Sequence, residues 1–321
     1  MKPFARPRLL RDASWKAVHE AMRANPAVHV FGEGAEVKAF YDAPAMLKEF
    51  PGRIHTLPIS EDGNLNVACG AALMGTVPVV DMISCDFLYR AMDSIVNTAA
   101  KLEGRTIVLR AETILGGPTT GQRPEASLAH VPGLYVAIPS TPRDSYGLMV
   151  AALGRAGVTV FIEDRMVQDG EAWSVHDLET VEPLPFGNLA VRFLVKGSNC
   201  AILTYGVMRQ SIERLLKEQA FNDFYAEPNH RADLYDLRSI YPIDWRYLKE
   251  GHIFRRTRNL LIVEPDIVYG GVGAEIAAWV AENMPSVRIK RLGARRETMD
   301  AAHPERSLPA DQEVLDAIAG F

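Results

Sequence analysis

Val77-Pro78-Val79-Val80 and Thr106-Ile107-Val108-Leu109-Arg110 are two short, mostly β-branched runs, and the segment from Phe87 to Leu102 between them reads as a helix. Apolar runs of this length, without in-and-out alternation, are what strands covered on both faces look like. Strand, helix and strand of this kind form the βαβ unit of a parallel sheet. The pattern continues outward in both directions. Upstream, Arg11 to Arg23 puts Trp15, Val18 and Met22 on one helical face, and Val28-His29-Val30-Phe31 reads as a strand ending at Gly32-Glu33-Gly34. Downstream, Tyr135 to Pro139 and Val158 to Ile162 repeat the strand signal around a helix from Asp144 to Arg155.

Between Asp164 and Gly197 acids, prolines and irregular polar residues replace the periodic pattern, which reads as a connection between domains. A second α/β set follows, with strands at Asn199–Gly206, Ala232–Leu237 and Asn259–Glu264 and a helix through Leu215. Gly270-Gly271-Val272-Gly273 then opens a helix from about Ala274. No Lys-Ser/Thr pair follows, and the spacing is not that of a dinucleotide fingerprint, so the cluster reads as a tight turn packing a helix close to its sheet. The expected fold is two parallel-sheet α/β domains, residues 1–180 and 181–321, in keeping with a 321-residue chain.

A net charge of −5 gives no footprint for nucleic acid or an anionic membrane. No run approaches the roughly 18 apolar residues of a membrane span. The basic N-terminus, Met1-Lys2-Pro3-Phe4-Ala5-Arg6-Pro7, lacks an apolar h-region. Cys69, Cys85 and Cys200 are scattered without metal-ligand spacing and read as buried free thiols of a reducing compartment, the cytoplasm.

The chemistry-bearing stretch is Leu57-Pro58-Ile59-Ser60-Glu61-Asp62-Gly63-Asn64, followed by Val67-Ala68-Cys69-Gly70-Ala71-Ala72-Leu73. Ser60 reads as an N-cap and Glu61 as an acid in the first helical turn. Asp81-Met82-Ile83-Ser84-Cys85-Asp86-Phe87 follows, then Ala91-Met92-Asp93-Ser94-Ile95-Val96-Asn97-Thr98-Ala99-Ala100-Lys101. Further on come His130-Val131-Pro132-Gly133-Leu134, Leu237 to Asp244, and Glu264-Pro265 with Gly271 to Ile276. In this order, and without large insertions, these segments resemble the β subunit of the thiamine-diphosphate-dependent 2-oxoacid dehydrogenase E1 component, in the transketolase-like superfamily. The resemblance spans nearly the whole chain. It implies a pyrimidine-binding α/β domain followed by a transketolase-type C-terminal domain.

By that resemblance Glu61 hydrogen-bonds the cofactor ring nitrogen opposite the amino group, which needs contact at about 2.6–3.2 Å. Phe87 corresponds to the aromatic that stacks on the aminopyrimidine, against a plain core-aromatic reading. Ile83 would line the same pocket. Glu33 matches a family acid at the inner end of the site, where it would relay protons; a solvated loop acid or N-cap is the other reading. Arg90 stands where the family has glutamine near the cofactor. Its guanidinium suits a carboxylate or phosphate, or else pairs with Asp86 or Asp93 on its own helix. In the substrate pocket Thr120 takes the place of the family histidine, and a threonine cannot act as an imidazole acid or base. Glu125, Arg123 and His130 are the candidates for a replacement group, and spacing does not choose among them.

No Gly-Asp-Gly diphosphate segment is present, so the resemblance implies that magnesium ligands come from an E1 α subunit in an α2β2 heterotetramer. A structural potassium would sit on the backbone of Ile107, Ala152, Arg155 and Gly157. The implied activity is decarboxylation of a 2-oxoacid with acyl transfer to lipoamide on an E2 partner. The alternatives are a split transketolase-like subunit moving a two-carbon unit, or a non-catalytic regulatory paralogue.

Overall fold

The computed structural model describes residues 10–33, 43–113, 121–165, 167, 178, 181–196, 198–221, 231–250, 253–297 and 304–321. It divides into two compact units, Met1–Phe186 and Gly187–Phe321.

In the first unit α1 (Leu10–Ala24) leads to β1 (Val28–Glu33), α2 (Ala43–Glu49), β2 (Ile54–Leu57), α3 (Glu61–Leu73) and β3 (Val77–Ser84). There follow α4 (Cys85–Leu88), β4 (Thr106–Thr113), α5 (Glu125–Ala129), β5 (Leu134–Ala137), α6 (Pro142–Leu153) and β6 (Gly157–Asp164). The strands lie in the order β5-β6-β4-β3-β1-β2, each neighbouring pair parallel. On one face α1 and α6 bury Trp15, Val18, Met22, Leu148 and Met149 against Val30, Val79, Val108 and Phe161. From the other face α3 packs on β3 and β4, burying Leu65, Ala68, Cys69 and Ala72. Its small side chains allow that close approach. The sheet is covered on both sides, as the β-branched runs required.

The residues from Phe87 to Leu102 do not form one regular helix. After α4 the run tightens into a 3₁₀ turn at Tyr89–Ala91, widens into a π turn at Ser94–Thr98 and tightens again at Ala99–Lys101. Polar bonds hold the widened turn against α3. The Ser94 hydroxyl donates to Asp62, and Asn66 donates to both. Such irregular turns recur where a helix borders a functional site.

The second unit carries β7 (Ala190–Phe193), β8 (Cys200–Thr204), α7 (Gly206–Phe221), β9 (Ala232–Asp236), β10 (Ser239–Tyr241), α8 (Trp245–Glu250) and α9 (Ile253–Arg256). These are followed by β11 (Asn259–Ile267), α10 (Val272–Asn283), β12 (Arg288–Ala294) and α11 (Asp311–Ala319). Its sheet runs β12-β11-β8-β9-β7, parallel except for the β7–β9 pair. Strand β7 lies inside the stretch read as a plain connection. Its segment, Ala190–Phe193, is short, interrupted by Arg192 and partly exposed, unlike the fully buried run of β8. The glycine cluster does pack a helix on the sheet: a Cβ on Gly273 would stand 2.8 Å from Glu264 Oε1 and 2.9 Å from Ile262 Cγ2. The Gly273 amide donates to Glu264 Oε2 at 3.0 Å.

Candidate active site

In open parallel sheets ligands bind beyond the carboxyl ends of the strands, where neighbouring connections leave in opposite directions. Here that place lies between β1 and β3, because β1 leads on to β2 while β3 leads the other way to β4. Glu33 ends β1, Ile83 and Ser84 end β3, and Glu61 opens α3 just beyond the end of β2.

Glu61 is 9% exposed at the first position of α3. Ser60 is at the N-cap position, but its side chain makes no cap bond, contrary to expectation. Its amide instead donates to Glu33 Oε1 at 2.9 Å. Glu33 thus anchors the entry to α3 from the neighbouring strand, rather than standing free in a loop. Burial raises the Glu33 pKa; the Ser60 amide opposes this, Glu61 adds to it and Arg90 counters it. Arg90 pairs neither with Asp86 nor with Asp93. Its Nε lies 3.4 Å from Glu61 Oε2, and its side chain is 72% exposed. Asp86 is engaged by the Ser84 hydroxyl at 2.7 Å and the Gln122 amide at 3.1 Å, and Asp93 accepts from Asn97 at 2.7 Å.

Phe87 is half-buried in α4, whereas Cys85 and Leu88 beside it are fully buried. Ile83 is also half-buried and has φ 63°, a left-handed backbone that β-branched residues avoid. Thr120 lies outside the described residues. Of the three candidates to replace it, Glu125 is fully buried and bound to Arg123 at 3.1 Å, while Arg123 also holds Asp164 at 2.6 Å. His130 is exposed at the end of α5.

Sequence reasoning missed the charges beneath the site. Arg110, 1% exposed, binds Asp81 at 3.0 Å, Glu112 at 2.6 Å and Glu163 at closer range. Burial opposes the Arg110 charge, but the three acids hold it on and raise its pKa. Burial raises the pKa values of Asp81 and Glu163 despite the guanidinium, whereas for Glu112 burial is outweighed by Arg110 together with Arg11 and Arg165, which hold the carboxyl below its usual range. The visible signal was a charged residue closing each apolar run, Asp81 after Val80 and Arg110 after Leu109.

The positions implied for potassium lie at the opposite ends of the strands from Glu61. Thr106 pairs with Gly157 and Ile107 with Val158 at the starts of β4 and β6, and the Thr106 hydroxyl donates to the Arg155 carbonyl at 2.7 Å. Ala152 lies in the last turn of α6, whose carbonyls form the negative end of the helix. Among the described residues no group of three or more His, Cys, Asp and Glu side chains is placed to hold a metal ion. None of their helices is long and apolar enough to cross a membrane. Cys69, Cys85 and Cys200 are free and buried, and burial pushes Cys69 up to about 11 and Cys200 up to about 12.

Residues 7–168 match the transketolase pyrimidine-binding domain and residues 189–310 the transketolase C-terminal domain. The chain is 33% identical to a pyruvate dehydrogenase E1 component subunit beta of Rickettsia felis, over 96% of each chain. The chain belongs to the β subunits of the thiamine-diphosphate-dependent 2-oxoacid dehydrogenase E1 family. This E1 β-family chain is also 28% identical to 2-oxoisovalerate dehydrogenase subunit beta 2, mitochondrial, of Arabidopsis thaliana, over 96% of this chain and 87% of the relative. Its fold is shared with a solved chain described as a split-gene transketolase, inactive β4 tetramer, at TM-score 0.80 and 22% identity, covering 98% and 97% of the two chains.

Proposed function

We propose that this chain supplies the pyrimidine half of a thiamine diphosphate site in a 2-oxoacid dehydrogenase E1, completed by an α subunit in an α2β2 assembly. The complex decarboxylates a 2-oxoacid and passes the acyl unit to the lipoyl group of an E2 partner. When bound, thiamine diphosphate supplies the carbanion chemistry, and the chain supplies position and electrostatics. The observation that carries this reading is the buried Glu61 carboxyl at the head of α3, flanked by Glu33 and Arg90 at the strand-end crevice.

In this reading Glu61 accepts or donates the hydrogen bond to the ring nitrogen opposite the amino group. Glu33 fixes the Ser60 amide, and therefore the direction in which α3 presents Glu61. Ile83 and Phe87 give the pyrimidine an apolar seat, and Arg90 lies at the open side of Glu61, where an anionic substrate enters. The α subunit contributes the magnesium ligands. The backbone groups of Ile107, Ala152, Arg155 and Gly157, at a helix end and two strand starts, suit a potassium ion with a structural part.

Co-purification with an α-type subunit tests the proposal, with calorimetry of thiamine diphosphate plus magnesium and a dye-acceptor assay over a panel of 2-oxoacids. Binding in the complex, weak or no binding by the chain alone, and turnover of one oxoacid class are expected. Tight magnesium-dependent binding by the chain alone would overturn the shared site. Turnover of ketose phosphates but of no oxoacid would overturn the dehydrogenase assignment.

A further inference from the structure

We propose that Asp81, anchored by Arg110, is a positioning residue that holds Ile83 in its left-handed backbone and thereby sets how Ile83 and Phe87 face the site. The functional side of this inference rests on the pyrimidine seat proposed above. At φ 63° the branched Cβ of Ile83 crowds its own backbone, a cost of about fivefold to thirtyfold in population. Something must offset that cost. One oxygen, Asp81 Oδ1, accepts from both the Ile83 amide at 3.2 Å and Arg110 Nη1 at 3.0 Å.

Arg110 is itself fixed. Glu112 and Glu163 bind its other terminal nitrogen, Nη2, Ser14 and Ser145 donate to Glu163, and the guanidinium lies 5.2 Å over the Trp15 ring. The same place carries a break in the ladder. Asp81 pairs with Arg110 and Ser84 with Glu112, so three steps along β3 oppose two along β4. That is a bulge of one residue, a device that re-aims a side chain at a strand end. Immediately beyond it the Ser84 side chain caps α4, accepting the Asp86 amide at 3.3 Å, and α4 carries Phe87. A buried ion cluster is a poor source of stability, since desolvation offsets most of its attraction. Its value here is geometric.

The test is a double-mutant cycle on the full chain without cofactor, combining Asp81→Ala with Ile83→Gly in urea unfolding. Asp81→Ala leaves Arg110 paired with Glu112 and Glu163, so the buried charge keeps partners. Glycine has no cost at positive φ. Ile83→Gly should therefore improve the folding constant about fivefold to thirtyfold more with Asp81 present than with it removed. Additivity within about twofold overturns the proposal.

If Asp81→Ala does not fold, hydrogen exchange on the unaltered chain decides. The Ile83 amide should exchange on the order of a hundredfold slower than an unprotected amide, and an unprotected one overturns the holding role. In the complex with an α-type subunit, Asp81→Ala should weaken thiamine diphosphate binding about tenfold or more, and Asp81→Asn, which keeps the accepting oxygen, should restore it. Full affinity in Asp81→Ala overturns the positioning role. Coupling at Ile83 in a complex that binds no thiamine diphosphate supports the backbone inference and overturns the cofactor assignment.

Discussion

Gly133→Ala should be among the most damaging single-methyl additions in the first unit. Gly133 has φ 92°, and a Cβ built there would stand 2.3 Å from the Ala100 carbonyl oxygen and 3.2 Å from its carbon. The obstructing atom is backbone, in the Ala99–Lys101 turn, so no rotamer change can relieve the overlap. A left-handed alanine costs about 1–2 kcal/mol, and overpacking against a fixed group adds about 1–3 kcal/mol. The sum, about 2–5 kcal/mol, is a large part of a typical stability of about 5–15 kcal/mol. Gly104→Ala is the control, because Gly104 has φ 72° but nothing within 4 Å of the added methyl. It should lose only the dihedral part, about 1–2 kcal/mol. Urea unfolding followed by circular dichroism reads both as midpoint shifts at unchanged slope. Equal losses at the two positions would refute the claim that Gly133 is kept for its contact with the turn ending the Phe87 segment.

Glu61→Gln in the assembled enzyme should leave the melting temperature unchanged and lower turnover about 10²–10⁴-fold; wild-type turnover would remove Glu61 from the catalytic role. Arg90→Gln, at a 72% exposed side chain, should keep stability within about 0.5 kcal/mol while redistributing activity across the oxoacid panel, and an unchanged panel would take Arg90 out of the pocket. Glu49 is held down to about 2 from its usual 4.5, first by the hydrogen bond from Arg23. A carboxyl lowered on folding adds stability that is full above its unfolded value and is lost as pH falls through the folded one. Because the Glu49 side chain is 34% exposed, Glu49→Gln should cost less than about 1 kcal/mol at pH 7. The gap to the wild type should close as pH falls from about 5 to 2, and a gap that stays constant would refute the pairing.

The parallel-sheet architecture was legible because strands covered on both faces cannot hide their β-branched runs, and Val77–Val80 and Thr106–Leu109 stand at its centre. Glu33, Glu61, Ile83 and Phe87 could be named together as candidates only through the order of whole motifs; a lone Ser-Glu or Phe carries no such information. What escaped was everything decided across the sheet. The partner of Arg90 lies on α3 rather than on its own helical run, so the spacing of Asp86 and Asp93 misled. The charges around Arg110 come from three strands, and no local pattern joins Asp81, Glu112 and Glu163. The π turn at Ser94–Thr98 is set by bonds to Asp62 and Asn66, which periodicity within one helix cannot register.

Glu33 ends β1, Glu61 follows β2 and the Ile83–Arg90 segment begins at the end of β3, three strands of one sheet, and the segment bearing Thr120 follows a fourth, β4. Each connection is therefore a separately exchangeable cassette. If the proposed site is right, changes confined to the β4 connection, or to a single residue such as Arg90, would alter the substrate side while leaving the Glu33–Ser60 clasp and Glu61 unaltered. For an engineer the same division marks where libraries belong: in the segment from 114 to 124 and at Arg90, with the β1 and α3 ends left alone.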